Sequence, residues 1–140
     1  MKQALALLTL IAIAFVGIDR TLGYHVAYSI AFGTISIMAL MISLTFFWLW
    51  RRRETPLALG MSFSWAGAAS VLGWWWLFHV LHEPDIMRDS AYLFVFLALY
   101  FVGAVLHFTV MQRSMGVSTV IFALPTFVAI ALAALLSLAG

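Results

Sequence analysis

The stretch from Tyr24 to Trp50 contains no acidic or basic side chain apart from one histidine near its start. Because a helix rises about 1.5 Å per residue, this stretch is long enough to cross a hydrocarbon core of about 30 Å. Similar apolar stretches cover residues 57–81, 91–112 and 117–139, and a shorter one covers residues 4–18. We therefore predict an all-α integral membrane protein, a single domain over residues 1–140, in which five transmembrane helices form a compact bundle.

Composition supports lipid as the surrounding solvent. Of the 140 residues, 66% are hydrophobic and 9% are charged, whereas soluble domains carry about 25% charged residues. A water-soluble fold of this size has too little interior to hide so much apolar surface. The seven Lys and Arg residues are too few for a nucleic-acid interface, so the lipid bilayer is a predicted partner and nucleic acid is not. Cysteine is absent, which excludes disulfides and iron–sulfur clusters.

The run over residues 4–18 allows two interpretations. A lysine followed by a short apolar run is typical of a signal peptide. No small-x-small cleavage pattern stands out before Asp19. We expect the run to be retained as the first span, and four spans remain if it is cleaved or lies at the membrane surface.

The basic residues predict an orientation. If the N-terminus is cytoplasmic, Lys2, the triplet 51–53 and Arg113 lie inside, and only Arg20 and Arg88 lie outside. Short cytoplasmic loops carry an excess of Lys and Arg. We therefore predict a cytoplasmic N-terminus and an outer C-terminus. The short loops and this charge bias are typical of a bacterial cytoplasmic (inner) membrane protein.

Small and polar side chains recur at helical spacing in spans two and three. The candidate packing residues are Ser29, Gly33, Ser36, Ser43, Gly60, Ser64 and Gly67. Small residues let membrane helices approach closely, so a packing seam is the favoured interpretation. Span four carries Tyr100, Gly103 and His107 on one face. We expect His107 to lie toward the cytoplasmic side. As an ionisable residue within a span it is a functional candidate, and a hydrogen bond to a Ser or Thr of span two is the plainer alternative.

A cluster of titratable residues is predicted at the outer ends of spans two and three. It comprises His25, His79, His82, Glu83 and Asp85. One interpretation is a solvated loop with interfacial histidines. A second is a divalent metal site of His79, His82 and Glu83 or Asp85, since imidazole and carboxylate ligands suit zinc, copper or iron. A third is a haem b held by His25 and His79 from neighbouring helices.

Three functions remain open from the sequence. The favoured one is a small non-catalytic integral membrane subunit, or an assembly or stabilising factor, that packs against other integral membrane subunits. The second is a homo-oligomeric transporter or channel lined by Ser29, Ser36, Ser43 and His107. The third is a membrane redox protein that binds haem or metal through the outer histidines. No Asp or Glu lies within any predicted span, which argues against proton transfer through a buried carboxylate.

Overall fold

The computed structural model of the chain describes residues 2–116 and 119–139, and all the regular structure in these ranges is α-helical. Within them the helices are α1 Lys2–Leu22, α2 Tyr24–Arg53, α3 Pro56–Val80, α4 Asp85–Arg88, α5 Tyr92–Met115 and α6 Thr119–Ala139. The short α4 lies in what the sequence predicted as an irregular loop. The prediction of an all-α chain is confirmed.

Four stretches of helix are long and apolar enough to cross a membrane. They are Lys2–Leu22, Tyr24–Arg53, Pro56–Val80 and Asp85–Ser114. The predicted fifth span includes residues 117 and 118, which lie outside the described residues. The apolar stretch described in α6 is shorter, Thr126–Leu138. The structure therefore supports a polytopic membrane protein with at least four helices of membrane length.

The first connection, between α1 and α2, is a single glycine, Gly23. α1 continues to Leu22, and the hydroxyl of Thr21 donates to the carbonyl of Gly17 inside the helix. Gly23 has φ +87°, and its N–H donates to the carbonyl of Asp19. Glycine adopts positive φ without a steric penalty, so the chain reverses at this one residue.

α2 and α3 form an antiparallel hairpin through a two-residue connection. The N–H of Glu54, at φ 49°, donates to the carbonyl of Trp50 and closes α2. Pro56 then occupies the first turn of α3, where its fixed φ suits a helix start and its missing N–H costs nothing. We call the end of the bundle at which α2 ends and α3 begins the arginine end, and the opposite end the histidine end.

The long helices form a row, with α3 in the middle. α3 packs extensively against α2 on one side and α5 on the other, while α1 contacts α2 and α6 contacts α5. The middle position of α3 follows from the small residues on two of its faces, which allow two close neighbours.

The seam between α2 and α3 contains a pair of reciprocal hydrogen bonds. The hydroxyl of Ser43 donates to the carbonyl of Ser62 at 2.8 Å, and the hydroxyl of Ser62 donates to the carbonyl of Ser43 at 3.0 Å. Both serines are buried. Toward the histidine end, the indole of Trp76 lies directly over Gly33.

The seam between α3 and α5 consists of glycines that face backbone. Gly60 lies against the backbone of His107, Gly67 against that of Tyr100, and Gly103 against that of Ser64. The numbers of each facing pair add to 167, as an unbroken antiparallel register requires. Tyr100, Gly103 and His107 therefore all meet α3, along the single face of span four that the sequence indicated.

Candidate functional site

A cavity of about 550 Å³ lies at the histidine end, between the start of α2 and the end of α3. Its lining is His25, Tyr28, Ser29, His79, His82, Glu83 and Arg88. The α2 contributions follow from helical spacing, because residues three and four apart share a face, as Tyr28 and Ser29 do with His25. The antiparallel hairpin brings the last turn of α3, with His79, to the same depth.

His79 is held in a defined tautomer. Its Nδ1 lies 2.8 Å from the carbonyl oxygen of Trp75, one turn earlier in α3. A carbonyl oxygen only accepts hydrogen bonds, so Nδ1 carries the proton that is donated. The remaining nitrogen, Nε2, is the polar atom of the ring left to meet a ligand, and in the neutral ring it is an acceptor.

The chain reverses after α3 through two residues in the left-handed backbone conformation. His82 has φ 60° and Glu83 has φ 57°. The N–H of Glu83 donates to the carbonyl of Phe78 at 2.8 Å, and that of His82 donates to the carbonyl of His79 at 3.2 Å. Left-handed conformations are unfavourable for residues with a Cβ. Their effect here is to turn His82 and Glu83 back over the cavity.

The charged residues at the cavity form one loose ion pair. A guanidinium nitrogen of Arg88 lies 3.7 Å from a carboxylate oxygen of Glu83, and both side chains are more than half exposed. Exposed pairs of this kind contribute little to stability. The pair does determine the charge of the lining, because the arginine and the carboxylate that face the cavity compensate each other.

Aromatic rings cover one side of the cavity. The ring of Tyr28 stacks on that of Phe32 with 4.2 Å between centroids, and its centroid lies 5.0 Å from that of His79. Flat rings packed in this way have preferred offset and tilted geometries. The rings of Tyr28 and His79 line the histidine cavity, whereas Phe32 lines a cavity between α1 and α2.

The predicted metal ligands are only partly brought together. His79, His82 and Glu83 line the cavity, whereas Asp85, at the start of α4, is not part of its lining. No group of three or more His, Asp or Glu in the described parts of the chain is placed to hold a metal ion. The reason is that α3 ends at Val80, so His79 and His82 do not share the helix face that the prediction assumed.

The two predicted haem ligands, His25 and His79, line the same cavity. The Nδ1 hydrogen bond of His79 is of the kind that orients a ligating imidazole. The phenol ring of Tyr28 already lies against that imidazole. The cavity thus offers one oriented imidazole beside an aromatic ring, together with His25 at the start of α2.

His107 lies on the other half of the bundle. Its backbone packs on Gly60 near the arginine end, so it lies far from the histidine cavity. Its Nδ1 is buried and makes no hydrogen bond within the described part of the chain. The predicted hydrogen bond from this nitrogen to span two is therefore not formed, because the helix beside His107 is α3. Tyr100 is 44% exposed, and the atoms that it places against Gly67 are its backbone nitrogen, Cα and Cβ.

The predicted packing residues separate into two groups. Gly33, Ser36 and Ser43 are buried in α2, and Gly60, Ser64 and Gly67 face α5 from α3. The hydroxyl of Ser36 donates to the carbonyl of Phe32 in its own helix. Ser29 instead lines the histidine cavity. Ser36 and Ser43 are thus engaged inside the hairpin, which does not favour the interpretation that they line a transport path.

Several residues that shape the site were not identified as site residues from the sequence. They are Tyr28, Ser62 and Trp76. Tyr28 follows His25 by three residues, so helical spacing alone was a sufficient signal for it. The sequence placed Arg88 at the outer face, but its approach to Glu83 depends on the left-handed backbone at His82 and Glu83.

Comparison of the chain with models of protein families, with curated proteins and with solved structures finds no match.

Proposed function

We propose that the protein is a small non-catalytic integral membrane subunit, or an assembly or stabilising factor, of a larger membrane protein complex. The proposal rests on how little of α1 is covered by the rest of the described chain. No residue of α1 is buried, and only Phe15 and Ile18 are partly covered. Its contacts with the rest of the described chain are made to α2.

The packing of α1 is restricted to its last turns. A cavity of about 330 Å³ separates Phe15, Val16 and Asp19 of α1 from the first turns of α2. Upstream of these residues, large side chains such as Leu8 and Leu10 are about two-thirds exposed. Membrane helices associate through van der Waals packing rather than through a hydrophobic drive. The part of α1 before Phe15, which is exposed on every face, gains that packing when a helix of another subunit lies against it.

The test is co-purification in a mild detergent with a variant on α1. Leu8→Trp adds bulk to the uncovered part of α1, and Leu44→Trp makes the same change on an exposed position of α2; the two leucines are 65% and 58% exposed. We expect a stoichiometric membrane partner with the wild type and the α2 variant, and its loss with the α1 variant. A stable wild-type monomer contradicts the proposal. A homo-oligomer without another protein also contradicts it and favours the transporter alternative.

The proposal includes an orientation, with a cytoplasmic N-terminus in a bacterial inner membrane. It is supported by the arrangement of the basic residues, because the triplet 51–53 and Arg113 end α2 and α5 at the same end of the bundle. The chain contains no cysteine, so single cysteines report accessibility cleanly. In intact cells an impermeant thiol reagent should label Asp85→Cys and leave Thr55→Cys unlabelled. The reverse pattern contradicts the orientation.

A further inference from the structure

The histidine cavity continues into two apolar clefts along the outer surface of the α2–α3 hairpin. The first cleft, about 390 Å³, shares Ser29 with the cavity. The second, about 260 Å³, shares Ile37 and Trp76 with the first and ends at Leu40. The three spaces follow one another along α2, polar at the histidine end and apolar beyond it, and we call them together the furrow.

The length of this furrow matches half a membrane. Ser29 and Leu40 lie about 17 Å apart along α2, at about 1.5 Å per residue. The hydrocarbon core of a bilayer is about 30 Å thick, so the furrow runs from the interface to about the midplane. A molecule that filled it would hold its head among the histidines and its tail within one leaflet.

The head end favours an uncharged ligand with a flat ring. Among the described residues, the arginine and the carboxylate that line the cavity are paired with each other, so they leave no net charge to attract a phosphate. The aromatic rings of Tyr28 and His79 both line the cavity, with 5.0 Å between their centroids, and aromatic rings pack favourably against a further flat ring. Beside it lie the hydroxyl of Tyr28, which donates or accepts, and Nε2 of His79, which in the neutral ring accepts.

We propose that the furrow binds an amphiphile with an uncharged, hydrogen-bonding ring and an apolar tail, the chemistry of a prenylated quinone or quinol. A carbonyl of the ring accepts a hydrogen bond from Tyr28, and a hydroxyl of the reduced ring donates one to Nε2 of His79. The tail lies over Ile37 and Trp76 and reaches Leu40. The inference concerns binding alone and stands independently of the proposed subunit role.

The experiment uses two probes, decylubiquinone and the same benzoquinone ring without the tail. Native mass spectrometry of the full chain, released from detergent, measures the fraction of protein that carries one bound molecule. Loss of one hydrogen bond weakens binding by about two- to tenfold. We therefore expect Tyr28→Phe to weaken both probes by this factor, because it keeps the aromatic ring and removes the hydroxyl that donates to a ring carbonyl.

A substitution at the far end of the furrow tests the contribution of the tail to binding separately from that of the ring. Leu40→Trp fills the second cleft and should abolish the advantage of the tailed probe while leaving the tail-less ring unaffected. Leu44→Trp, one turn further along α2 and outside the clefts, is the matched control and should bind as the wild type does. The thermal midpoint of each variant establishes that the fold is intact.

Three results overturn the proposal. The first is a wild-type protein that forms no one-to-one adduct with the tailed probe. The second is equal binding of that probe by the wild type, Tyr28→Phe and Leu40→Trp. The third is a tightly retained anionic phospholipid that the quinone does not displace, which assigns the furrow to a charged lipid head.

Discussion

The two seams of α3 are built from similar residues but differ in what each glycine touches. Toward α5, Gly60, Gly67 and Gly103 lie against backbone atoms of the facing helix. Toward α2, Gly33 lies against the end of a side chain, the indole of Trp76, and Gly73 meets only the Cβ of Ser36, at 4.0 Å. A small residue in a membrane helix can therefore face the backbone of its neighbour, which cannot shift alone, or the end of a side chain, which can.

The difference explains where space is left in the bundle. A backbone-to-backbone contact closes the seam completely, whereas a seam spaced by serines and by an indole leaves clefts on either side of Trp76. The α2–α3 seam is held instead by hydrogen bonds between the two serines. The rigid seam sets the helix arrangement, and the looser seam provides the furrow and the histidine cavity at its end.

The largest effect is expected from Gly103→Ala. A Cβ at this position would overlap the backbone nitrogen of Ser64 and lie 2.7 Å from the carbonyl carbon of Phe63. The two helices must separate, and overpacking of this kind costs about 1–3 kcal/mol. We expect a clear fall in the thermal midpoint in detergent. Gly17→Ala is the control, because nothing lies within 4 Å of its added Cβ; equal midpoints for the two variants refute a rigid α3–α5 seam.

A smaller loss is expected when the serine pair is broken. Ser43→Ala and Ser62→Ala each remove one donated hydrogen bond between the helices. Hydrogen bonds between membrane helices contribute about 0.6 kcal/mol on average and about 1.7 at most. The free energy of unfolding should fall by this amount in each variant. The control Ser70→Ala removes a hydroxyl that bonds only within its own helix and should be neutral; a loss as large as that of Ser43→Ala shows that the pair has no special role.

Gly73→Ala should stabilise the protein slightly. Its added Cβ meets the Cβ of Ser36 at an ordinary contact distance of 4.0 Å. Glycine within a helix is less favourable than alanine by about 0.5–1 kcal/mol. The expected result is a free energy of unfolding raised by up to that amount, measured as for the other variants. A decrease shows that the α2–α3 seam is tighter at this depth than the structure indicates.

How far the sequence predicted this structure depends on whether a feature is local. Helical spacing of small residues indicated which faces of α2 and α3 pack, because periodicity is a property of one helix. The facing residue was not predictable, since the register that sets Gly103 against Ser64 depends on the packing of both helices over their whole length. The histidines were assigned to one end of the hairpin from its short connection. The end of the third span at residue 81 was also predicted, but the left-handed backbone of His82 and Glu83 was not, because no glycine marks those positions.

The smallest change in stability is expected from Gly33→Ala, although its added Cβ lies only 2.7 Å from an atom of Trp76. The neighbour is a side chain with clefts on both sides, so it can shift, and the cost of the shift is offset by the helical preference for alanine of about 0.5–1 kcal/mol. The free energy of unfolding should stay near that of the wild type. If it falls as far as in Gly103→Ala, the indole is held as rigidly as backbone and the contrast between the seams is wrong. In that case Trp76→Phe, added to Gly33→Ala, should recover the loss, because the smaller ring leaves room for the new methyl group.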